Sequence, residues 1–330
     1  MNIFLKNIIS NMFITKLISV FRPARTVILM YHDLREDDDF ENWLRVSVSD
    51  FSYQLTRLQQ IGEFISPVDI FRPSASRRLR FLITFDDGYR NNFELAAPIL
   101  QRYQIPALFF ISTQHMQEQE PFWPDIVVTS LQGRQLERLD LRSFNLGIFE
   151  FHTVGSTRRW DDIQELLKAL KNLGNTSHPT VAAVLQYLQS KYAETLAKHL
   201  PRFQPIKADQ IKVMSTNPLF YFGSHGHHHD ILTYQDDEEV DVNLQMSKLI
   251  LEEHTGSKIT HLAYPNGDNN GRIIERAKMA GFTHGYGIQP GTVDSQSPMM
   301  CLPRLGVGGV GSRLLPFYKL NRMLISERLR

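Results

Sequence analysis

Two adjacent acidic residues in this chain have the side chains needed to bind a cation and activate water. Asp86 and Asp87 follow a short apolar run, residues 81–85 (FLITF). Burying two neighbouring carboxylates is costly unless a positive charge offsets them. If a divalent cation binds one carboxylate, the other can act as a general base on water. Because Asp-Gly is also a common turn dipeptide, a solvated turn is the alternative for this motif taken alone.

A dense histidine cluster lies farther along the chain. Residues 225–229 read HGHHH, so four histidines occupy five positions. His225 and His229 are spaced i, i+4, and on a helical turn both imidazoles would face the same ion. Two imidazoles and one carboxylate leave coordination positions open, as a catalytic metal requires. His227 and His228 compete as ligands by residue type, and an exposed loop that binds metal incidentally is the simpler alternative.

The elements that must position these residues alternate between strands and helices. Apolar runs that predict strands lie at 26–31, 81–85, 107–111, 219–223, 259–264, 283–288 and 300–307. Helical patterns lie between them at 49–61, with Ser49 as N-cap, and at 94–103, 237–254 and 271–280. This alternation predicts a mainly parallel sheet, whose active residues collect at the C-terminal ends of strands. His32, Asp86, Asp87 and the histidine cluster all stand at such ends.

Two segments depart from the strand–helix alternation. Residues from about 114 to 214 have helical patches and few strand signals, which predicts a mostly helical insertion in a catalytic domain spanning 26–330. Residues 1–25 predict an amphipathic helix whose lysines and arginines could contact an anionic membrane surface. Packing of that helix on its own domain is equally compatible with the pattern, and an uncleaved atypical signal is a third alternative. Its apolar runs fall short of the roughly 18 residues of a membrane span, and no secretory cleavage site is visible.

The composition narrows the classes of partner and compartment. Lys and Arg total 36 and Asp and Glu total 35, so the chain lacks the basic surplus of a nucleic-acid-binding protein. The single cysteine, Cys301, cannot form an internal disulfide, which fits a reducing compartment. We therefore expect a protein of the cytoplasm or of the inner face of the membrane.

The two clusters together resemble the motifs of the polysaccharide deacetylase family, which includes chitin, chitooligosaccharide and peptidoglycan deacetylases. The first motif, TFDDG, stands at 84–88, and the second, H-(S/T)-x-x-H, stands at 225–229 with Gly226 in place of Ser or Thr. The resemblance implies Asp86 as catalytic base and Asp87, His225 and His229 as ligands of a divalent metal, with zinc expected. It covers about residues 26–307 apart from the insertion. It also implies an α/β fold, a distorted (β/α) barrel with fewer strands than the eight-stranded barrel.

The chain departs from the family pattern at two further motifs. The third motif, Arg-x-Pro-(Tyr/Phe)-Gly, stands at 263–267 as AYPNG, without the arginine that normally orients the base. We expect Arg304, which follows a candidate late strand, to replace it. The usual late histidine motif is not recognisable. Instead, residues 29–32 (LMYH) resemble a branch that includes surface poly-N-acetylglucosamine deacetylases, which implies that His32 is the general acid. A histidine that only forms hydrogen bonds at the strand end is the alternative.

These residues predict a hydrolase that removes acetyl groups from N-acetylated glycans or lipid-linked sugars. The aromatic side chains expected to stack on the sugar are Tyr89, Tyr264 and Trp123, together with Pro265 as a further contact and Phe122 as a weaker candidate. Ordinary core packing is the alternative for each of them. A backbone N–H near Tyr264 is expected to help stabilise the oxyanion.

Two other functions fit the same residues. One is a non-catalytic module that binds metal and glycan, supported by the missing third-motif arginine. The other is a hydrolase of different C–N amide bonds. The intact Asp-Asp pair favours an enzyme, because a binding module has no use for a base beside the metal.

Overall fold

The computed structural model describes residues 25–36, 44–73, 78–132, 138–154, 157–175, 178–309 and 313–326. Residues 1–24, which hold nearly all of the expected amphipathic helix, lie outside the described residues. The chain divides into two compact units. The first comprises Met1–Gln117 with Ile206–Arg330, and the second comprises Glu118–Pro205. The second unit falls within the stretch of about 114–214 that we predicted as an insertion.

The described residues form short strands and longer helices. In chain order the strands are β1 (Thr26–Tyr31), β2 (Asp33–Arg35), β3 (Arg45–Ser47), β4 (Gly62–Phe64), β5 (Leu79–Phe85), β6 (Ala107–Ile111), β7 (Arg138–Asp140), β8 (Ile148–Glu150), β9 (Phe220–Ser224), β10 (His261–Ala263), β11 (His284–Tyr286) and β12 (Leu305–Gly306). The α-helices are α1 (Val48–Ile61), α2 (Ala97–Tyr103), α3 (Thr113–Glu118), α4 (Trp123–Leu131), α5 (Thr157–Leu173), α6 (Pro179–Lys191), α7 (Ala193–His199), α8 (Ala208–Ser215), α9 (Asp237–Thr255), α10 (Gly271–Met279) and α11 (Leu315–Ser326).

The first unit is built on a curled parallel sheet with the strand order β11-β10-β9-β6-β5-β1-β12. Strand β4 pairs with the first part of β5 and β6 with the last part, so β4 and β6 share one side of β5. Leu302 makes a parallel bridge to Tyr286, and Leu305 pairs with Leu29. Residues 302–306 thereby connect the two edges of the sheet. This architecture confirms the predicted α/β class and the distorted (β/α) barrel.

Alternate side chains along each strand face opposite sides of the sheet, as strand geometry requires. In β1, Val27, Leu29 and Tyr31 join the larger core formed with the helices. Ile28 instead joins a smaller cluster on the inner side of the curl, together with Leu82, Leu108, Phe110, Ala263, Tyr286 and Leu302. Both faces of the strands are therefore buried, which explains their almost uninterrupted apolar sequences.

The helices largely follow the predicted pattern, with two corrections. The N-cap of helix α1 is Ser47 rather than Ser49, because the Ser47 hydroxyl accepts the N–H of Asp50 at 3.1 Å. The stretch 94–103 is not one α-helix, since a π-helical turn, Asn92–Ala96, precedes α2. Pro98 in the first turn of α2 has no N–H to donate backwards, which favours this change in the bonding pattern.

The second unit is mostly helical. It contains helices α4 to α7 and the antiparallel pair β7–β8. Its helices have fully buried apolar side chains at Val127, Leu131, Ile163, Leu166, Leu170, Val184 and Leu188. Within the described ranges, no helix in either unit combines the length and apolar composition needed to cross a membrane.

Candidate active site

The C-terminal ends of three parallel strands bring ionisable side chains together in the first unit. His32 follows β1, Asp86 and Asp87 follow β5, and His225 follows β9. Backbone bonds tie these ends to their neighbours: the N–H of Asp86 donates to the carbonyl of Tyr31 at 2.9 Å. The two aspartates and His225 are buried, and His32 is partly exposed. Buried charged groups of this kind need opposite charges or hydrogen-bond partners close by.

Arg304 neutralises the negative charge of Asp86 through a bidentate ion pair. Its Nη1 and Nη2 lie 2.6 and 2.7 Å from the two carboxylate oxygens. Its Nε donates to the carbonyl of Gly287 at 2.8 Å, and the guanidinium lies 5.5 Å from the centroid of the Phe110 ring. Arg304 has no solvent exposure. A planar guanidinium held from several sides fixes the direction of the carboxylate as well as its charge.

This ion pair determines the protonation state of Asp86. Burial raises the pKa of the carboxyl, but Arg304, His225 and His32 outweigh it and hold the pKa below its usual value. Asp86 is therefore ionised at neutral pH. Arg304 follows β11 in the chain and directly precedes β12, because only Leu305–Gly306 of the predicted stretch 300–307 is a strand. The long arginine side chain reaches Asp86 from there.

Asp87, His225 and His229 place three donor atoms around one point. The Asp87 Oδ1 lies 3.3 Å from Nε2 of His225 and 3.2 Å from Nε2 of His229. The three donor atoms lie within 4.8 Å of one another. Burial raises the pKa of Asp87, but its contacts with the two imidazoles hold it well below the usual range. The aspartate therefore faces the imidazoles as an anion.

The hydrogen bond on the far side of His225 shows that these donor atoms fit a cation. Nδ1 of His225 lies 2.8 Å from the carbonyl of Ala263, which can only accept, so Nδ1 carries a proton. In the neutral imidazole, Nε2 then presents a lone pair to the carboxylate of Asp87. Two facing acceptors need either a proton or a cation between them. Burial lowers the pKa of His225, but the bond to Asp87 and the charges of both aspartates raise it overall. The same negative field suits a divalent metal.

Left-handed backbone at the end of β5 turns Asp87 toward the histidines. Asp87 has φ 70° and Gly88 has φ 78°. A non-glycine residue in this region carries strain of about 1–3 kcal/mol and is concentrated at functional sites. A Cβ at Gly88 would lie 2.9 Å from Cδ1 of Ile111. Gly88 therefore has no side chain for two reasons: the turn needs a positive φ, and Ile111 of β6 occupies the space that a side chain would fill.

The segment 225–229 is an irregular loop, so the helical turn considered for the i, i+4 spacing is wrong. Positive φ angles at Gly226 (78°) and His229 (58°) fold the loop back on itself. This fold brings the rings of His225 and His229 to 4.9 Å between centroids. The two histidines thus meet through loop geometry that the spacing alone did not specify.

The middle histidines of the cluster point elsewhere. Nδ1 of His227 lies 2.8 Å from the hydroxyl of Thr113, and Nδ1 of His228 bonds to Oε1 of Gln114. The set of donor atoms that converges in the described residues contains neither of them. Their contacts tie the loop to the start of α3 and leave His225 and His229 as the paired ligand candidates.

His32 lies beside the base predicted from the sequence. Its Nε2 is 3.9 Å from Oδ2 of Asp86, and its carbonyl accepts the side-chain N–H of Asn92 at 2.8 Å. Burial lowers the pKa of His32, and Arg304 and His225 act in the same direction. Asp87 and Asp86 oppose that change. The two carboxylates do not outweigh burial, so the pKa of His32 stays below its usual value.

The two tyrosines that were predicted to contact the sugar are both buried. Tyr264 is fully buried in the core and its hydroxyl donates to the carbonyl of Met300 at 2.9 Å, so the expectation that it stacks on a sugar is wrong. Its N–H donates to the carbonyl of Tyr286 at 3.1 Å and is not available to an oxyanion. Tyr89 is also buried and exposes no ring face.

Of the three remaining sugar-contact candidates, Pro265 belongs to the first unit, and Trp123 and Phe122 belong to the second. Pro265 is buried in a single 3₁₀ turn, Pro265–Gly267, and its Cγ lies 3.6 Å from the position of a Cβ at Gly226. It therefore packs beside the histidine loop. Trp123 begins α4 in the second unit, where its role in substrate binding stays a prediction. Phe122, the residue before it, is buried.

Several polar residues that support the site gave no signal that sequence reasoning used. Asn243 in α9 is fully buried and accepts the backbone N–H of His227 at 2.5 Å. Asn91 donates to Asp33 at 2.6 Å beside the end of β1. The available clue for Asn243 was its spacing, which puts a polar residue on the same helix face as Val240 and Leu244, where it would be buried and would need a hydrogen-bond partner.

Comparison with known proteins identifies the family. The family model described as polysaccharide deacetylase matches residues 76–285, more than half of the chain. The chain belongs to the polysaccharide deacetylase family. Its fold is similar to that of Streptococcus pyogenes deacetylase PplD in complex with acetate (TM-score 0.59, 17% identity, 92% of this chain and 99% of that chain). It is also similar to IcaB from Ammonifex degensii (TM-score 0.53, 18% identity, 90% and 98% of the two chains).

A sequence relative covers a shorter stretch. YxkH of Bacillus subtilis, provisionally named a polysaccharide deacetylase, is 32% identical over 95 residues, which are 27% of this chain and 33% of that protein. The matched stretch therefore spans about a third of that relative. Members of the polysaccharide deacetylase family act on N-acetylated glycans and are generally metal-dependent. The region matched by the family model contains Asp86, Asp87, His225 and His229, whereas His32 and Arg304 lie outside it.

Proposed function

We propose that this polysaccharide deacetylase is a metal-dependent hydrolase that removes the acetyl group from N-acetylated amino sugars of a glycan and releases acetate. The observation that carries this proposal is the juxtaposition of an ionised Asp86, held by Arg304, with the donor atoms of Asp87, His225 and His229. A general base beside a three-donor set is the arrangement that metal-assisted hydrolysis needs. We propose zinc as the ion.

The two aspartates would divide the work. Asp87 faces both histidines and would hold the ion with them. A divalent ion there would supply Lewis acidity, which polarises an amide carbonyl and makes water more acidic. Asp86, engaged by Arg304, would accept the proton of the attacking water. Because the guanidinium occupies both oxygens of Asp86, it fixes the base in one orientation and opposes its protonation.

His32 is the residue that we propose to act at the leaving group. An amine is a poor leaving group until it is protonated, so cleavage of the C–N bond needs an acid. The His32 imidazole lies 3.9 Å from Asp86 on the neighbouring strand end. We propose that His32 donates a proton to the amine nitrogen as the bond breaks.

The rival interpretation as a binding module drew its support from the missing third-motif arginine. Arg304 supplies a guanidinium to Asp86 from a distant position in the sequence, which removes that support. A glycan-binding module would also gain nothing from an ionised base at the site. A hydrolase of other C–N amides would use the same residues, and assays on other amides separate it from a deacetylase.

The metal requirement can be tested with the ligand candidates. The wild-type protein should bind one equivalent of zinc and release acetate from N-acetylglucosamine oligomers, and a chelator should abolish release until zinc is restored. The double variant His225→Ala with His229→Ala should lose zinc and activity. His284→Ala, which changes a histidine at the start of β11, at the opposite end of the sheet, should retain both. Full zinc binding by the double variant would show that the ion lies elsewhere. Acetate release unaffected by chelation would exclude metal dependence.

A further inference from the structure

Two buried polar residues of α9 contact the loop that carries His225 and His229. Asn243 and Ser247 are one helical turn apart, and neither has any solvent exposure. Residues four apart on a helix lie on the same face. Each side chain is connected to a different backbone N–H of the loop, Asn243 by a direct hydrogen bond and Ser247 through one intervening hydroxyl. Buried polar side chains of this kind need partners, and here the partners belong to the candidate metal site.

Asn243 joins the middle of the loop to its end. Its Oδ1 accepts the N–H of His227 at 2.5 Å, and its Nδ2 donates to Oε1 of Gln235 at 3.2 Å. Nε2 of Gln235 in turn donates to Oδ2 of Asp230 at 3.0 Å. Asp230 directly follows His229. The two amide side chains therefore tie the backbone at position 227 to the residue after the second candidate ligand.

Ser247 fixes the start of the same loop. Its hydroxyl donates to the carbonyl of Leu244 at 2.9 Å, so its oxygen accepts the hydroxyl of Ser224 at 2.6 Å. The Ser224 oxygen then accepts the N–H of Gly226 at 3.0 Å. One consistent direction of donation satisfies all three groups, because each hydroxyl has a single proton. The loop is thus held on both sides of Gly226.

Gly226 makes room for this arrangement. Its φ of 78° lies in the left-handed region, and a Cβ at this position would lie 3.0 Å from Oδ1 of Asn243. This is the position at which the family motif has Ser or Thr. A side chain here would compete with the asparagine for the same space. The glycine and the buried asparagine therefore form a matched pair.

We infer that Asn243 and Ser247 are positioning residues that hold the loop 225–229 in the one conformation in which both His225 and His229 face Asp87. This inference rests on the proposed metal site. The pair acts on the metal only through the backbone of the loop. Hydrogen-bond partners behind metal ligands commonly change metal affinity by 10–100-fold when removed. The loop has two positive φ angles and no regular structure to maintain it, so loss of these bonds should scatter the ligand geometry.

The test measures zinc affinity by competition with a chromophoric chelator, and the absorption spectrum of the cobalt-substituted protein. Asn243→Ala should bind zinc about 10–100-fold more weakly than wild type and should alter the cobalt spectrum. Ser247→Ala, which removes one hydroxyl, should bind zinc about 10-fold more weakly than wild type and should also alter the cobalt spectrum. Leu244→Ala is the matched control, because Leu244 is equally buried on α9 and its side chain makes no hydrogen bond. It should lower thermal stability and leave affinity and spectrum unchanged.

The outcomes separate the inference from the proposed function. Wild-type affinity and spectrum in both positioning variants would overturn the inference while leaving the metal site in place. Equal weakening by Leu244→Ala would also overturn it, because the effect would then be general destabilisation. Failure of the wild-type protein to bind zinc or cobalt would remove the proposed site and the inference with it. If Asn243→Ala does not fold, Ser247→Ala alone decides.

Discussion

At the scale of single residues, the pairing of Asp86 with Arg304 most strongly constrains the chemistry. The two residues are 218 positions apart in sequence, and both are buried. Removing one partner of a buried pair leaves an uncompensated charge, which typically costs 3–5 kcal/mol. A site that uses a carboxylate as base needs this charge held in place. The pair therefore links the stability of the barrel to its proposed activity.

Arg304→Lys should lower deacetylase kcat by about 100-fold while the protein stays folded. Lysine keeps the positive charge but cannot bond both oxygens of Asp86, and small misplacements of a catalytic group can cost that factor. Steady-state kinetics and thermal unfolding measure the two effects. Arg80→Lys is the control, because Arg80 is buried at the other end of β5 and bonds backbone carbonyls there. If Arg304→Lys kept full kcat, the orienting role would be excluded.

The sequence suggested Arg304 from its position near a late strand, and the structure shows why that was only partly sound. The guanidinium bonds Asp86, but the predicted strand 300–307 is reduced to β12, so Arg304 lies in the loop between β11 and β12. Side-chain reach, which spans several ångströms, is not readable from sequence spacing. The same limit applies to Tyr264, whose aromatic character fits sugar stacking although its ring is fully buried.

At the scale of elements, the turn after β5 orients Asp87, the proposed metal ligand. Asp87 and Gly88 both have left-handed backbone, and Ile111 of β6 packs where a side chain at position 88 would lie. Two consecutive residues in this region reverse the chain sharply. The carboxylate of Asp87 thereby points away from that of Asp86 and toward the histidine loop.

Gly88→Ala should destabilise the protein by about 3 kcal/mol and weaken zinc binding. The change adds left-handed strain of about 1–2 kcal/mol and a contact of 2.9 Å with Ile111. Gly256→Ala is the matched control: Gly256 has φ 65° at the end of α9, and, apart from its chain neighbours and the adjacent helix backbone, no atom of the described residues lies within 4 Å of its Cβ position. The control should cost about 1–2 kcal/mol and leave zinc affinity unchanged. Denaturant unfolding and chelator competition measure the two quantities, and equal effects in both variants would contradict the role of the turn.

The strands with continuous apolar sequence were the best predicted elements. The runs at 26–31 and 107–111 coincide with β1 and β6, because strands buried on both faces carry an unbroken apolar signal. The late strands β10, β11 and β12 are shorter than the predicted runs. The pair β2–β3 was not predicted, since three-residue strands leave too little pattern. Positive φ angles in the loop 225–229 also leave no periodic signal.

At the scale of the whole molecule, the two ends of the sheet carry different chemistry. The candidate site occupies the C-terminal strand ends, whereas His261 and His284 begin β10 and β11 at the opposite end. Their rings stack at 4.8 Å, and Nδ1 of His261 bonds to the hydroxyl of Tyr286 at 2.9 Å. Burial lowers the pKa of His261 to about 3, and the neighbouring His284 adds to this effect. The folded protein therefore keeps His261 neutral.

The stability of the protein should fall as pH decreases below about 6.5. In the unfolded chain the pKa of His261 returns to 6.5, so between 6.5 and about 3 the unfolded state binds a proton that the folded state does not. One such proton lowers the free energy of unfolding by about 1.4 kcal/mol per pH unit. His261→Asn, which stays neutral, should show a shallower slope than wild type by about that amount in urea unfolding near pH 5–6. Equal slopes would contradict the assignment.

The central claim is that Asp86 is the base of a metal-dependent deacetylase, and one rate comparison tests it most directly. Acetate release from N-acetylglucosamine oligomers is measured for wild type and Asp86→Asn, each verified to hold one equivalent of zinc. Asparagine preserves the shape of the side chain and a bond to Arg304 but cannot accept the proton of water. We predict a fall in kcat of about 10²–10⁴-fold with zinc content unchanged. Undiminished acetate release by the zinc-loaded Asp86→Asn protein would contradict the account.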